Sequence, residues 1–275
     1  MRRWQYELER RVAAWITVGL LATGLPVATP AGAEPTARDI MEQVTVARKL
    51  EGSEAVVSMT IVNPQGQTRE RRLSLATKLY DGGKTEKRIY RFSAPADVDG
   101  TGVLVFDYEK EADDVWVYLP ALRKTRRIVS AQRSESFMGS EFAYADLNVP
   151  SLDDYDYKLV REESVGAERC WVIDVLPKTP ETAKSEGYSR KTYWVSQEKH
   201  VLVKGEYFDL DGHAFKQLEN QDFKLLDAKR QRYRPLRMVM TNQQNGRRSI
   251  FATEQIAFTP ETKDDFFTPR YLERP

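Results

Sequence analysis

The architecture of this 275-residue chain is best inferred from the stretch Asp114-Val-Trp-Val-Tyr-Leu-Pro-Ala-Leu-Arg-Lys-Thr-Arg-Arg-Ile128. It predicts a strand over 115–119, an apolar corner over 119–122 and a returning strand over 124–129. Successive side chains of a strand point to opposite faces of the sheet. Because 115–119 is apolar throughout, both of its faces must be covered. We expect one face to lie under an N-terminal helix. The other face lines either a ligand cavity or further core, and the sequence leaves both open.

The strand pattern continues on both sides of this stretch. Asp211-Gly212 and Asn245-Gly246 are strong signals for β-hairpins. The predicted strands cover 55–62, 69–80, 87–92, 103–108, 157–162, 170–176, 191–195, 201–208, 214–219, 236–242 and 249–258. Many strands joined by short polar turns predict a mainly β protein with a few helices, built on an antiparallel sheet that is large enough to curl.

Four segments interrupt this pattern. Thr36 can cap a helix with Asp39 three residues later, and apolar residues follow at helical spacing. Residues 130–156 form a long non-periodic stretch, and loops of that length inside a compact domain are often functional. Residues 177–189 are polar and predict a surface excursion. The tail from Pro260 predicts a short helix or hook that docks on the sheet.

The first 33 residues have the three parts of a secretory signal peptide. Four arginines precede an uncharged apolar run over 12–25, and Ala31-Gly32-Ala33 supplies a cleavage site. A membrane span needs about 20 apolar residues, so an uncleaved anchor is the weaker alternative. The sequence therefore predicts a signal peptide over 1–33, a single domain over 34–275 and a periplasmic location.

The composition of the exported chain argues against nucleic acid as a partner. Removal of residues 1–33 takes away four arginines and two glutamates, which leaves 38 basic and 39 acidic side chains. A nucleic-acid binder would carry a basic excess. Cys170 is the single cysteine and cannot form an internal disulfide. Its setting in Cys170-Trp171-Val172-Ile173 predicts a small buried side chain rather than a reactive thiol.

The sequence lacks the motifs of the common catalytic and metal sites. The chain has two histidines, His200 and His213, both at predicted hairpin turns. There is no H-E-x-x-H, no cysteine pair and no G-x-S-x-G, and neither histidine has an obvious serine partner. Asp209-Leu210-Asp211-Gly212 resembles the start of a calcium loop, but the remaining ligand positions fail. We therefore expect no enzyme activity, no metal and no cofactor.

A second distinctive block follows the first, at Arg133-Ser-Glu-Ser-Phe-Met-Gly-Ser-Glu-Phe-Ala-Tyr-Ala-Asp146. Together, the two blocks resemble the outer-membrane lipoprotein-sorting protein family, the LolA-like group of periplasmic carriers. The resemblance implies a strongly curved, half-open (unclosed) β-barrel capped by helices, with an apolar concave side. It also implies transport of lipids or acylated lipoproteins, in a branch often encoded beside RND-type lipid exporters. The chain is longer than the classical carrier, with a larger insertion over 130–156.

The candidate site residues fall into three groups. The cavity candidates are Trp116, Tyr118, Leu119 and Leu122. The lid candidates are Phe137, Gly139, Phe142 and Tyr144. The candidates for contact with anionic headgroups or a protein partner are Arg123, Lys124, Arg126, Arg127 and Arg133. For the basic group, a solvated edge strand whose charges prevent aggregation is an equally weighted alternative.

Two functional hypotheses follow. The first is a periplasmic carrier or chaperone that holds acyl chains in an apolar cavity, acts as a monomer and touches membrane surfaces transiently. The second is an accessory or sensor module that binds protein partners, either an RND-type inner-membrane transporter or a component of an envelope-stress pathway. An enzyme that uses carboxylates on the same scaffold is the third and weakest alternative.

Overall fold

The computed structural model describes residues 34–148 and 151–274. The predicted signal peptide over 1–33 lies outside the described residues. Three α-helices are present in the described ranges: α1 (Ala37–Arg48), α2 (Pro180–Glu186) and α3 (Pro269–Leu272). None of them is long and apolar enough to cross a membrane.

Thirteen β-strands lie within these ranges. The first six are β1 (Gly52–Val62), β2 (Thr68–Tyr80), β3 (Thr85–Ala94), β4 (Gly102–Tyr108), β5 (Asp114–Leu119) and β6 (Lys124–Arg127). The other seven are β7 (Tyr155–Val165), β8 (Glu168–Pro177), β9 (Arg190–Ser196), β10 (Leu202–Phe208), β11 (Ala214–Asp227), β12 (Arg232–Asn242) and β13 (Arg248–Phe258).

All thirteen strands form one antiparallel sheet in the order β6-β5-β4-β3-β2-β1-β13-β12-β11-β10-β9-β8-β7. Each half is a meander, β1–β6 and β7–β13, and the pairing of β1 with β13 joins the halves. The two edge strands, β6 and β7, do not pair with each other, so the sheet is unclosed. The predicted half-open antiparallel barrel is confirmed.

Helix α1 begins as its sequence predicts. The Thr36 hydroxyl accepts a hydrogen bond from the backbone N–H of Asp39 at 3.2 Å, and the Asp39 carboxylate accepts one from the backbone N–H of Thr36 at 3.0 Å. The apolar side of α1 packs against Ile173 of β8 and Val195 of β9. Our expectation that this helix covers β5 is therefore wrong.

The chain after β13 returns to the sheet as a hook, as the tail predicted. Residues 264–267 form a 3-10 turn and α3 follows directly. Phe267 and Leu272 of the hook are buried against Ala76, Ile89 and Leu104. The hook thus covers the outer face of β2, β3 and β4.

The polar stretch over 177–189 is more ordered than a surface excursion. It contains α2, which Thr179 caps by accepting a hydrogen bond from the backbone N–H of Thr182 at 3.1 Å. Glu186 at the end of α2 and Tyr188 just after it are buried. The prediction missed this burial because one glutamate and one tyrosine among polar neighbours give no periodic signal.

Candidate functional site

The two faces of the sheet carry separate apolar clusters, and the alternation of side chains assigns each residue to a face. Val57, Met59, Leu73, Val105 and Val117 belong to one large cluster, and we call the face they share the inner face. The register places Val57 opposite Leu73, and Val105 opposite Val115. The opposite, outer face carries the cluster that the C-terminal hook covers.

The inner face is covered by the connection between the two edge strands. Because β6 and β7 lie at opposite edges, the chain between them must cross from one edge to the other. Residues 129–148, which we call the cover segment, carry Phe137, Phe142 and Tyr144 into the inner-face cluster. Phe137 has no exposed surface, with a relative accessibility of 0%.

The aromatic rings of the cover segment pack against rings of the sheet and against each other, and several of these pairs are edge to face. The Phe137 ring lies 5.6 Å from that of Tyr90 on β3 and 5.6 Å from that of Tyr144, both in T-shaped geometry. The Phe142 ring is 4.8 Å from that of Phe251 on β13. Such pairs contribute about 0.5–1.5 kcal/mol each beyond their buried area.

The backbone of the cover segment pairs with itself rather than with the backbone of the sheet. The backbone N–H of Phe137 donates to the carbonyl of Phe142 at 2.7 Å, and that of Tyr144 donates to the carbonyl of Glu135 at 3.1 Å. Every described backbone-to-backbone hydrogen bond between residues 129 and 148 joins two residues of the segment. The described backbone of the cover segment therefore takes no part in the strand pairing of the sheet.

Side chains fasten the two ends of the cover segment. At its start, a guanidinium nitrogen of Arg133 lies 3.3 Å from a carboxylate oxygen of Asp113 and 3.5 Å from one of Glu186. At its end, the Asn148 amide donates to Asp113 at 2.6 Å, and Arg88 donates to the Leu147 carbonyl. Asp113 therefore receives both ends of the cover.

Burial changes the acidity of the groups beneath the cover. Burial raises the pKa of Asp113 to about 6, and the neighbouring charge of Asp107 adds to the rise. Burial also raises the pKa of Asp146, which accepts a hydrogen bond from the Tyr188 hydroxyl at 3.1 Å. Burial alone would lower the pKa of Lys191, but the surrounding groups, with the Glu186 carboxylate at 2.9 Å the largest of them, together raise it well above its usual range. The inner face therefore combines a large apolar cluster with ion pairs.

The four cavity candidates do not lie together. Leu119 packs at the margin of the inner-face cluster. Trp116 and Tyr118 point to the outer face, where they pack in the cluster beneath the hook. Leu122 lies in the turn after β5 and is 68% exposed. Grouping them as one cavity lining is wrong, because neighbouring strand residues alternate between faces. Both faces of β5 are covered by other parts of the chain. This agrees with the alternative in which the second face of the strand packs in further core.

The lid candidates lie together within the cover segment. Phe137, Phe142 and Tyr144 are buried, whereas Gly139 is exposed at the tip. The Gly139 backbone has a φ of +75°, a conformation that favours glycine. Their role as a movable lid stays a prediction.

The predicted basic group divides into two. Arg123, Lys124 and Arg126 are exposed at edge strand β6, and Arg127 there forms an ion pair with Asp114. Arg133 does not belong to this surface, since its guanidinium is directed to Asp113 and Glu186 beneath the cover. Sequence proximity placed it wrongly in the patch.

The structure also contains a groove that the sequence did not predict. It has a volume of about 620 Å³ and lies beside the hook. Its apolar lining includes Val56, Ala76, Ile89, Phe266 and Tyr271. The groove depends on where the hook docks, and no local pattern in β1, β2 or β3 indicates it.

One group of side chains in the described ranges has a spacing that metal ligands use: Asp209, Asp211 and His213. The Asp209 carboxylate accepts hydrogen bonds from the backbone N–H groups of Asp211 at 3.1 Å and His213 at 2.8 Å. These bonds are typical of an Asx turn that closes a hairpin. The geometry agrees with a hairpin turn rather than a calcium loop.

Comparisons with known proteins agree with this architecture. A protein-family model with the description "Uncharacterized protein" matches residues 84–274. A domain described as an outer membrane lipoprotein-sorting protein from Vibrio parahaemolyticus is 28% identical, with a TM-score of 0.78, covering 86% of this chain and 98% of that chain. A DUF1329 family protein from Desulfovibrio piger is 26% identical, with a TM-score of 0.79, covering 87% and 99%.

A third solved structure shares the fold. The LolA superfamily protein NE2245 from Nitrosomonas europaea is 20% identical, with a TM-score of 0.65, covering 86% of this chain and 99% of that chain. A search of curated proteins returns no match.

The unclosed thirteen-stranded sheet, with its inner face covered by the edge-to-edge connection, defines a half-open barrel of the LolA type. The chain belongs to the family whose model matches residues 84–274, and it is similar to the outer-membrane lipoprotein-sorting domain and to the DUF1329 family protein. The resemblance inferred from residues 114–146 is thereby confirmed. A fold of this kind supports a carrier or chaperone role in general terms.

Proposed function

We propose that this protein is a non-enzymatic periplasmic carrier that holds the acyl chain of a lipid or an acylated lipoprotein. The acyl chain occupies the inner face after the cover segment moves aside. The observation that carries this proposal is that the cover fills the inner face with aromatic side chains while its backbone forms no strand pairing with the sheet. Opening therefore exposes apolar surface without unravelling the sheet.

The energies make such an exchange feasible. Burying the side chains of Phe137 and Phe142 contributes roughly 1.5–3 kcal/mol each, whereas each buried methylene of an acyl chain contributes about 0.8 kcal/mol. An acyl chain of about 14 methylenes therefore gains roughly 11 kcal/mol, which exceeds the loss from the two rings. A short chain gains too little, so binding selects long chains and stays reversible.

A thiol-accessibility experiment tests the movement of the cover. Ala143 is a buried residue of the cover segment itself, with 1% exposure, so Ala143→Cys places a thiol that reacts with a maleimide only when the cover opens. The native Cys170 is buried, and burial raises its pKa to about 11, so it serves as the internal unreactive control. We expect a dansyl-labelled fatty acid to bind and to accelerate labelling at position 143 but not at Cys170.

Two results would count against the proposal in different ways. Failure of the dansyl fatty acid to bind, together with no lipid extracted from protein purified from the periplasm, contradicts a carrier. Binding without faster labelling at position 143 places the acyl chain elsewhere, and the groove beside the hook is then the candidate. Ala257→Trp, at an exposed position that lines this groove, would block binding there and leave inner-face binding unchanged.

A second function, as an accessory or sensor module that binds an RND-type transporter or another envelope protein, is favoured by one observation. Strand β6 lies at an edge of the sheet, and exposed basic side chains stand along it and just before it, at Arg123, Lys124 and Arg126. Substituting Arg123, Arg126 and Arg127 together with glutamate should abolish partner binding and leave acyl loading intact. Loss of loading with retained partner binding would instead assign the patch to the ligand site.

A further inference from the structure

Three arginines converge on the inner face where the β1–β2 hairpin meets the start of β13. Arg69 and Arg71 are two residues apart on β2 and therefore share a face. The register pairs Arg69 with Ile61 on β1, and Ile61 with Ser249 on β13. Arg247 lies two residues before Ser249, so it approaches the same place from the other side.

These arginines line a pocket of about 290 Å³. The rest of the lining is Ile61, Asn63, Gln67, Thr68 and Gly139. Two carboxylates act on these arginines: Glu141 lies 3.0 Å from the Arg247 guanidinium, and the charge of Asp97 acts on Arg71. The three guanidinium groups are still in excess of negative charge. The pocket is therefore cationic, with amide and hydroxyl groups at its margin.

Arg71 has a hydrogen-bonding capacity that the described protein residues do not use. Its side chain is buried, with 8% exposure, and one terminal nitrogen donates to the Met138 carbonyl. Its buried Nε–H has no hydrogen-bond acceptor among the described residues. An unsatisfied buried donor costs about 1–3 kcal/mol, and more in a charged group. Because Arg71 lines the pocket, a small rotation of its guanidinium would bring this donor to a ligand oxygen and remove that cost.

We propose that this pocket binds a phosphate group through Arg69, Arg71 and Arg247. Guanidinium groups bind phosphate oxygens in pairs, and a tetrahedral anion can meet several guanidinium planes at once. The volume exceeds that of the ion itself, which leaves room for a substituent such as a glycerol ester. The phosphate belongs either to a lipid headgroup or to a free phosphate compound.

The position of the pocket relates it to the inner face. Gly139 lines the pocket, and its carbonyl accepts a hydrogen bond from Arg247 at 3.2 Å. Phe137 is two residues earlier, in the middle of the apolar cluster. A lipid phosphate held at the pocket would direct its acyl chains toward the space that Phe137 fills. The proposal that the ligand is a lipid rests on the carrier function proposed above. The proposal that the pocket binds phosphate does not depend on that function.

Calorimetric titration of the protein with inorganic phosphate tests the site, using two matched double variants. The pocket variant is Arg69→Gln with Arg247→Gln. The control is Arg72→Gln with Arg248→Gln, which removes the same charge from residues next to Arg71 and Arg247 that point to the outer face. We expect affinity to fall at least about tenfold in the pocket variant and to change less than about twofold in the control. Absence of phosphate binding, or an equal loss in both variants, overturns the proposal.

A second pair of ligands distinguishes the sources of the phosphate. If dihexanoyl phosphatidic acid binds about tenfold more tightly than inorganic phosphate, and the pocket variant weakens both, the ligand is a lipid headgroup. Equal affinities assign the site to a free phosphate compound. Uptake of a neutral dansyl-labelled fatty ester should persist in the pocket variant, because the ester carries no phosphate for the arginines to bind. Binding of the ester without binding of phosphate would reject the phosphate site and support the carrier function. Binding of phosphate without binding of the ester would reject the carrier function and support the phosphate site.

Discussion

Arg133 and Asp113 are 20 residues apart in sequence, yet their charged groups lie 3.3 Å apart beneath the cover segment. Arg133 begins the cover, and Asp113 immediately precedes β5. The same guanidinium nitrogen lies 3.5 Å from Glu186 at the end of α2. One positive charge thus compensates two buried carboxylates from different parts of the chain. Removal of that charge leaves both carboxylates without this partner.

Arg133→Gln should therefore loosen the cover. Breaking a buried ion pair by removing one partner typically lowers the free energy of unfolding by about 3 kcal/mol. We expect faster hydrogen exchange at the amides of residues 137–145 and a lower urea midpoint. Arg123→Gln, at an exposed position, is the control and should change stability by less than about 0.5 kcal/mol. Equal exchange rates in the two variants would show that Arg133 does not hold the cover.

A pair of phenylalanine substitutions separates a cover from ordinary core. Phe137 and Phe92 are both buried, and their rings lie 6.1 Å apart, but Phe137 belongs to the cover and Phe92 to β3. A buried Phe→Ala substitution costs about 3–5 kcal/mol. We expect Phe92→Ala to lower protection from hydrogen exchange throughout the sheet.

Phe137→Ala should instead act mainly on residues 129–148, because a segment that opens separately loses its own stability first. It should also weaken retention of a dansyl-labelled fatty acid if the cover closes over the ligand. The same global loss of protection in both variants, with unchanged ligand release, would identify Phe137 as part of a single cooperative core.

The alternation in strand β5 predicted two covered faces correctly because side-chain direction in a strand is a local property. What covers each face is not local. The inner face meets Phe137 from the cover, and the outer face meets Leu272 from the hook, more than 150 residues away in sequence. The expectation that α1 lies there failed for the same reason, since its apolar side fits any exposed apolar surface.

The arginine pocket likewise combines a feature that the local sequence predicts with one that depends on contacts between distant segments. The spacing of Arg69 and Arg71 places them on one face by periodicity alone. The approach of Arg247 depends on the pairing of β1 with β13, which brings together strands from opposite ends of the sheet-forming chain. Periodicity also separates Trp116 and Tyr118 from Leu119, and treating them as one lining overlooked this. Arg133 was misplaced because its partner Glu186 is distant in sequence.

Stability should depend on pH through Asp113. Burial raises its pKa from the ordinary 3.8 to about 6, so the folded state holds the proton more tightly than the unfolded state. The free energy of unfolding therefore falls as pH rises from about 4 to about 6, by roughly 3 kcal/mol in total from this group. Asp146, with a raised pKa of its own, acts in the same direction.

The measurement is urea denaturation at about pH 5 and about pH 7. Asp113→Asn keeps the shape of the side chain and removes its titration, so the variant should lose less stability between these pH values than the parent does. Asp156→Asn, at an exposed position on β7, is the control and should follow the parent. Parallel pH dependence in the parent and in Asp113→Asn would contradict the raised pKa.

If the hook docks on β4, the effects of substitutions at Gly102 and Leu272 on the free energy of unfolding should not be additive. A Cβ atom at Gly102 would lie 2.5 Å from a methyl group of Leu272, so Gly102→Ala displaces that side chain. We expect Gly102→Ala to cost about 1–3 kcal/mol and Leu272→Ala about 2–5 kcal/mol. The double variant should cost clearly less than their sum, because the truncated side chain no longer obstructs the added methyl group.

Gly52→Ala supplies the matched control for this cycle. A Cβ atom at Gly52 would overlap the backbone carbonyl oxygen of Thr259, and a backbone atom cannot turn away as a side chain can. Leu272→Ala should therefore not relieve Gly52→Ala, and those two costs should add within about 0.5 kcal/mol. Chemical denaturation of all five variants gives both coupling energies. Additive costs for Gly102→Ala and Leu272→Ala would show that the hook does not press on β4 at this point.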